Sequence, residues 1–305
     1  MKQAEIIPYS DMTPIITLAL DGLTSQHSRR AYAKALGDFL TWYTAEGRPG
    51  LSKATIQRYK TVLQGAGSSP SSINLQLSAV RKLAAEAADN GLVDPTLAAG
   101  GARVKGVPAR GVRAGNWLTR DQAQDLLSSP DLTTPKGRRD RAILAVLVGA
   151  GLRRSEAAGL TFDKVHQREG RWVLLDLVGK GNRVRSVPIP SWVKVAIDAW
   201  AAAAGIHSGR VFRPVRKGGD LWGHGLSGQA VGDVVKCYAR RLGYDLAAHD
   251  LRRTFAKLAY RGGAGLDQIQ LSLGHASIQT TQRYLGVTQD LVDAPCDHID
   301  LRLSW

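Results

Sequence analysis

Cysteine is nearly missing from this chain of 305 residues; Cys237 and Cys296 are the only two. Two cysteines cannot build a disulfide framework, and neither sits in a CxxC or CxxH pair of the kind that holds zinc. Long apolar runs are missing too, so no stretch reaches the length of a bilayer-spanning helix. The opening MKQAEIIPYS lacks the charged-then-apolar order of a secretion signal. Together these absences predict a cytoplasmic protein with no membrane partner. Acidic residues are the other shortage: 26 Asp plus Glu face 41 Lys plus Arg, for a net charge of +15. The acids are scattered rather than clustered, which speaks against a metal-dependent nuclease, and no cofactor is implied.

The positive excess is spread along the chain. Residues 1–110 carry 13 basic and 8 acidic side chains, and residues 111–305 carry 28 and 18. Both parts are cationic, as expected if both touch a polyanion. No strongly amphipathic basic helix stands out, so a membrane surface fits less well than a nucleic acid.

Periodicity divides the chain in two. The first hundred residues read as four or five helices. One lies around 12–21. TSQHSRRAYAKALGDFLTWYTAEG follows, with possible caps at Thr24 and Ser25 and Tyr32, Leu36, Phe39, Leu40 and Tyr43 on one face. Two further helical stretches each start at Ser and end at Gly. Residues 100–115, GGARVKGVPARGVRAG, hold five glycines, four basic residues and no acid, and read as a flexible basic linker. From Trp117 onward the pattern is mainly helical. Its convincing strands are RWVLLDLVG and RVRSVPIP, joined by the turn KGN. Helical patterns return at 191–204, 227–242, 250–261 and 266–284. The fold class is therefore mainly α, an all-helical domain over 1–99 and an α+β domain over 116–305 with a small antiparallel sheet.

Four stretches could carry chemistry. GAGLRRSEAAGL places Arg153 and Arg154 after a glycine that ends an apolar helix, where arginine also serves to cap carbonyls. LVGKGNRVRSVP puts Lys180 in a hairpin turn, where lysine is usually solvated. HDLRRTFAKLAY sets His249 and Arg252 one helical turn apart on one face. LGHASIQTTQRY supplies His275 and, nine residues later, Tyr284, which read alone is a half-buried aromatic closing a helix.

Taken jointly, in this order and spacing, these stretches resemble the tyrosine recombinase (phage integrase) family, and their lengths are similar to the compact Xer-type members. The resemblance spans roughly residues 12–300. It implies a helical core-binding (SAM-like) domain and a catalytic domain that clamp DNA like a C. It makes Tyr284 the nucleophile, Arg153 and Arg252 the phosphate-binding arginines, Lys180 the hairpin lysine, and His249 and His275 the two histidines. Glu156 matches an acidic position that orients its neighbours. Arg154 and Arg253 are not claimed. The family also implies double-stranded DNA with inverted half-sites as partner and a tetramer, of one or two recombinases, at synapsis. The tail after Tyr284, with Leu291, Val292, Ile299, Leu301 and Leu303, would dock on a neighbouring protomer or fold back on its own domain.

The chemistry suits the residue types. Attack on a DNA phosphodiester builds charge on the non-bridging oxygens, which two fork-shaped arginines stabilise without a metal. A tyrosine hydroxyl titrates near ~10. Cationic neighbours are expected to lower that value, with His249 accepting the proton or holding the phosphate and Lys180 protonating the leaving 5′ oxygen. The product would be a 3′-phosphotyrosine, resealed without ATP through a Holliday junction. Two other readings stay open at this point: DNA relaxation of the type IB topoisomerase kind, and a helical DNA-binding regulator with no enzymatic activity.

Overall fold

The computed structural model describes residues 9–108, 116–179 and 182–286. It divides into two compact units, 1–112 and 113–305.

Unit 1 holds five helices: α1 (Tyr9–Asp21), α2 (Gln26–Ala45), α3 (Lys53–Gly65), α4 (Pro70–Asp89) and α5 (Pro95–Ala102). Ser25, Ser52 and Ser69 cap α2, α3 and α4 by accepting backbone N–H bonds, as their sequence positions predict. The buried stripe of α2 (Leu36, Phe39, Leu40, Tyr43) meets Ile56 and Tyr59 of α3 and Ile73, Leu77, Val80 and Leu83 of α4. Phe39 sits at its aromatic centre, with ring centroids 5.4 Å from Tyr43 and 5.1 Å from Tyr59.

The expected flexible linker at 100–115 begins later than its composition suggests. Asp94 caps α5, Pro95 starts it, and residues 100–102 belong to the helix. Its glycines serve close packing there: a Cβ on Gly101 would stand 2.6 Å from Ile56 Cδ1. Beyond the helix, Val104 is buried, and Asn74 clasps Val107 by donating to its carbonyl at 2.9 Å and accepting from its amide at 2.8 Å. The rest of that stretch, 109–115, lies outside the described residues.

Unit 2 is built around α7 (Pro135–Gly149), whose residues Ala142–Val148 are buried on every side. α6 (Arg120–Ser128), α8 (Arg154–Gly159), α9 (Ser191–Ala204), α10 (Gly228–Arg241) and α11 (Ala248–Arg261) pack against it. α12 (Leu266–Leu273) and α13 (Ile278–Leu285) follow. The sheet is antiparallel in the order β1 (Val165–Arg168), β2 (Arg171–Val178), β3 (Val184–Ile189). β1 is a strand more than the sequence suggests; its four residues VHQR are partly or fully exposed and show no alternation. In register, Leu174 faces Val187 and Trp172 faces Ile189, so the buried side of the hairpin lies on the core.

The helix expected over 266–284 is two helices. Gly274 ends α12 in the left-handed region (φ +61°), and Ser277 caps α13. The break matters, because His275 sits in it. Among the described residues no helix is long and apolar enough to cross a membrane.

Candidate active site

Four segments of unit 2 converge: the start of α8, the base of the β2–β3 hairpin, the first turns of α11, and the α12–α13 pair. Arg153, Glu156, His249, Arg252, His275 and Tyr284 are brought together. Lys180 lies outside the described residues. The hairpin flanking it is closed by the Gly179 amide donating to the Arg183 carbonyl at 2.8 Å. A Cβ on Gly179 would stand 3.2 Å from Arg153 Nη1, so the backbone just before Lys180 runs beside the arginine cluster.

Arg252 is the anchor. It is fully buried. Its Nη1 donates to the Gly151 carbonyl at 2.5 Å, its Nη2 donates to the Leu273 carbonyl, and its Nε has no partner among the described residues. Gly151, at φ +59°, turns the chain so that its carbonyl points at the guanidinium; a Cβ there would also strike the Phe255 ring at 2.6 Å. Burial, then repulsion from Arg153, brings the Arg252 pKa down to about 9, which leaves it cationic at neutral pH.

Arg153 is held by Glu156, which accepts from its Nη1 at 2.7 Å and its backbone amide at 2.8 Å. The second partner of Glu156 escaped the sequence reading. Arg185 of β3 donates to both carboxylate oxygens, at 2.9 and 2.8 Å, and through Nε to the Ser272 carbonyl at 2.8 Å. Burial alone would raise the Glu156 pKa, but the hydrogen bonds from Arg185 and Arg153 outweigh it and hold the pKa near about 2. The result is a chain of ion pairs, Arg153–Glu156–Arg185, tying α8 to β3 and to the end of α12. Strand alternation carried the signal: Arg185 shares the inward side of β3 with buried Val187 and Ile189, and an inward charge needs a partner.

Tyr284, on the last turn of α13, points its hydroxyl at His249 Nε2 in a close hydrogen bond. The His249 ring stands edge-on at 5.6 Å between centroids, and the His275 ring at 5.0 Å. His275 is fixed by Nδ1 against the hydroxyl of buried Thr281, at 3.0 Å. Loss of hydration, then the charges of Arg252 and Arg153, lowers the His275 pKa to about 4. His249 is exposed as a residue, while its Nε2 faces the Tyr284 hydroxyl. Its pKa is lowered by desolvation first and by Arg252 and Arg253 next. Both imidazoles are therefore neutral at pH 7, and His249 is free to accept a proton.

The expected lowering of the Tyr284 pKa is not what the site does. Burial raises it, and the opposing pull of Arg252, Arg253 and Arg153 only partly offsets that. The cations are present as anticipated, but the phenol is also desolvated, so in the free protein Tyr284 is protonated at neutral pH.

A cleft of about 340 Å³ opens beside the site, lined by Arg153, Arg154, Gln229, Lys236 and His249 among others, with no acidic side chain. Among the described residues no group of three His, Cys, Asp or Glu side chains is arranged to hold a metal ion.

Two arginines and two neutral histidines thus stand around one tyrosine. Residues 116–290 match the model of the phage integrase family, and residues 15–91 match that of the phage integrase N-terminal SAM-like domain. The chain belongs to the phage integrase family, the tyrosine recombinases, and its reaction class is site-specific DNA recombination. It is 32% identical over 272 residues to tyrosine recombinase XerC of Xylella fastidiosa strain M23, covering 85% of this chain and 86% of that one. In fold it resembles XerH recombinase in a pre-cleavage complex with its difH substrate (TM-score 0.66, 20% identity, 94% of this chain and 83% of that one). It also resembles a lambda integrase dimer bound to a COC′ core site (TM-score 0.68, 15% identity, 93% and 98%). The regulator and topoisomerase readings find no support in these likenesses.

Proposed function

We propose that the protein cuts and rejoins double-stranded DNA through Tyr284, acting in the cytoplasm on sites built from inverted half-sites. The observation that carries this reading is the Tyr284 hydroxyl against the neutral His249 Nε2, beside two arginines. His249 takes the phenolic proton as the Tyr284 oxygen bonds to phosphorus. Arg153 and the free Nε edge of Arg252 receive the non-bridging oxygens, and His275 adds a hydrogen bond. Lys180 gives a proton to the departing 5′ oxygen, leaving a 3′-phosphotyrosine. No step calls for ATP or a metal. The basic cleft lined by Arg154 and Lys236 suits the neighbouring DNA backbone.

Strand exchange through a Holliday junction needs four copies, of this chain or of this chain and a second recombinase. A largely apolar groove on unit 2, lined by Leu127, Leu132, Trp192, Val195 and Leu258 among others, suits the apolar tail of a second copy. That tail, including Leu291, Val292, Ile299, Leu301 and Leu303, lies outside the described residues.

The test uses a site selected from random DNA and nicked beside the cleavage point, so that the freed 5′ end diffuses away. In EDTA the wild-type protein should form a covalent adduct that survives a denaturing gel, and Tyr284→Phe should form none. Specific binding with no adduct would sink the enzymatic reading.

A further inference from the structure

Arg253 follows Arg252 in the chain but faces elsewhere. Neighbours on a helix point about 100° apart. Arg252 turns into the core, whereas Arg253 turns toward α13, where its guanidinium lies 4.9 Å from the centre of the Tyr284 ring. Its nearest carboxylate is weakly engaged. Asp250 Oδ1 stands 3.8 Å away and also accepts from the Asn116 amide at 3.2 Å, while Oδ2 accepts from the Ala247 amide at 2.9 Å. Arg253 Nε is buried with no partner among the described residues. A mostly buried guanidinium with a distant carboxylate and an unpartnered Nε, already hydrogen-bonded toward the Tyr284 hydroxyl, is placed to meet an anion there. The anion that forms within reach is the phenolate of Tyr284.

We propose that Arg253 is a tuning residue for the nucleophile, holding the Tyr284 ring by its face and stabilising negative charge on it during cleavage and resealing. The inference rests on the reading of Tyr284 as the nucleophile. In cleavage the phenolic proton passes to His249 Nε2, the oxygen forms its bond to phosphorus, and the bond from phosphorus to the 5′ oxygen breaks, its electron pair taking a proton from Lys180. Resealing runs this backwards, with Tyr284 leaving as a phenolate. Negative charge on the ring strengthens its attraction to a cation, so Arg253 favours the charged stages over the resting phenol.

The groups facing Tyr284 are His249, Arg252 and Arg253 from α11, Arg153 from the start of α8, and His275 from the α12–α13 turn; the side of α12 that packs there is apolar. Arg253 draws the pKa of both Tyr284 and His249 downward, acting on nucleophile and base together.

Cleavage of the nicked substrate is timed from acid to alkaline pH for wild type, Arg253→Gln, Arg253→Lys and Tyr284→Phe, below the melting point of each variant. Arg253→Gln should cleave roughly tenfold more slowly near neutrality, the loss expected of one partly desolvated cation–π contact. Its acid limb should move to higher pH, because His249 and Tyr284 each lose a cation that lowered their pKa. Arg253→Lys should keep the wild-type limb. Gln and Lys variants slowed by one common factor at every pH, or both matching wild type, would overturn the proposal. Absence of a Tyr284-dependent adduct in wild type would instead refute the recombinase reading itself.

Discussion

Replacing Glu156 with glutamine removes one charge and almost no volume from the site. The buried carboxylate accepts four hydrogen bonds, two from Arg153 and two from Arg185. A glutamine amide accepts with one oxygen and turns an NH2 group toward guanidinium donors. The drop of the Glu156 pKa from 4.5 to about 2 measures how far the fold prefers the charged form, roughly 3 kcal/mol at ~1.36 kcal/mol per pKa unit. Breaking a buried ion pair from one side costs a similar ~3–5 kcal/mol. Glu156→Gln should therefore melt roughly 6–12 °C below wild type at pH 7, for a domain of this size. Sign and window follow from the lowered pKa. The Glu156 contribution is complete above pH 4.5 and disappears as pH falls toward about 2. The gap between the melting curves, followed by circular dichroism, should therefore narrow over that window. Equal melting temperatures at pH 7, or a gap that stays constant down to pH 2, would refute the ion-pair account. Cleavage by Glu156→Gln should also slow, because Arg153 loses the group that aims it.

Acid should weaken the protein in an earlier window as well. The unfolded chain protonates His275 near pH 6.5, whereas the folded site resists to about 4, so stability declines between those values; His275→Gln should remove that part of the pH dependence in the same melts. Val195→Glu places a charge in the apolar groove of unit 2 without touching the active site. It should leave the adduct on a single half-site intact and weaken the binding of a second copy on a full site, read as loss of the slower band in a gel-shift titration.

The parts of this molecule legible in its sequence are those with local signals. Serine caps and glycine stops mark the helices of unit 1, and GLRRSE, HDLRR and LGH followed by Tyr hold the residues that the fold brings together. What stayed hidden depends on contacts between distant segments. The glycines at 100 and 101 have the composition of a linker but lie flat on α3, which only the packing against Ile56 shows. Gly274 and Ser277 were legible as a stop and a cap, yet continuous polar periodicity masked the break at His275. Arg185 and Arg253 read as ordinary basic residues beside a motif; one is buried against Glu156 and the other faces Tyr284. The Tyr284 pKa went the other way because charge can be counted along a sequence and desolvation cannot.

The central claim is that Tyr284 becomes covalently joined to the 3′ end of the cut strand. The most direct measurement is mass spectrometry of the adduct after digestion of both protein and DNA. The account predicts a peptide containing Tyr284 that carries the mass of a 3′-linked nucleotide. A nucleotide on any other residue, or one joined through its 5′ end, would contradict it.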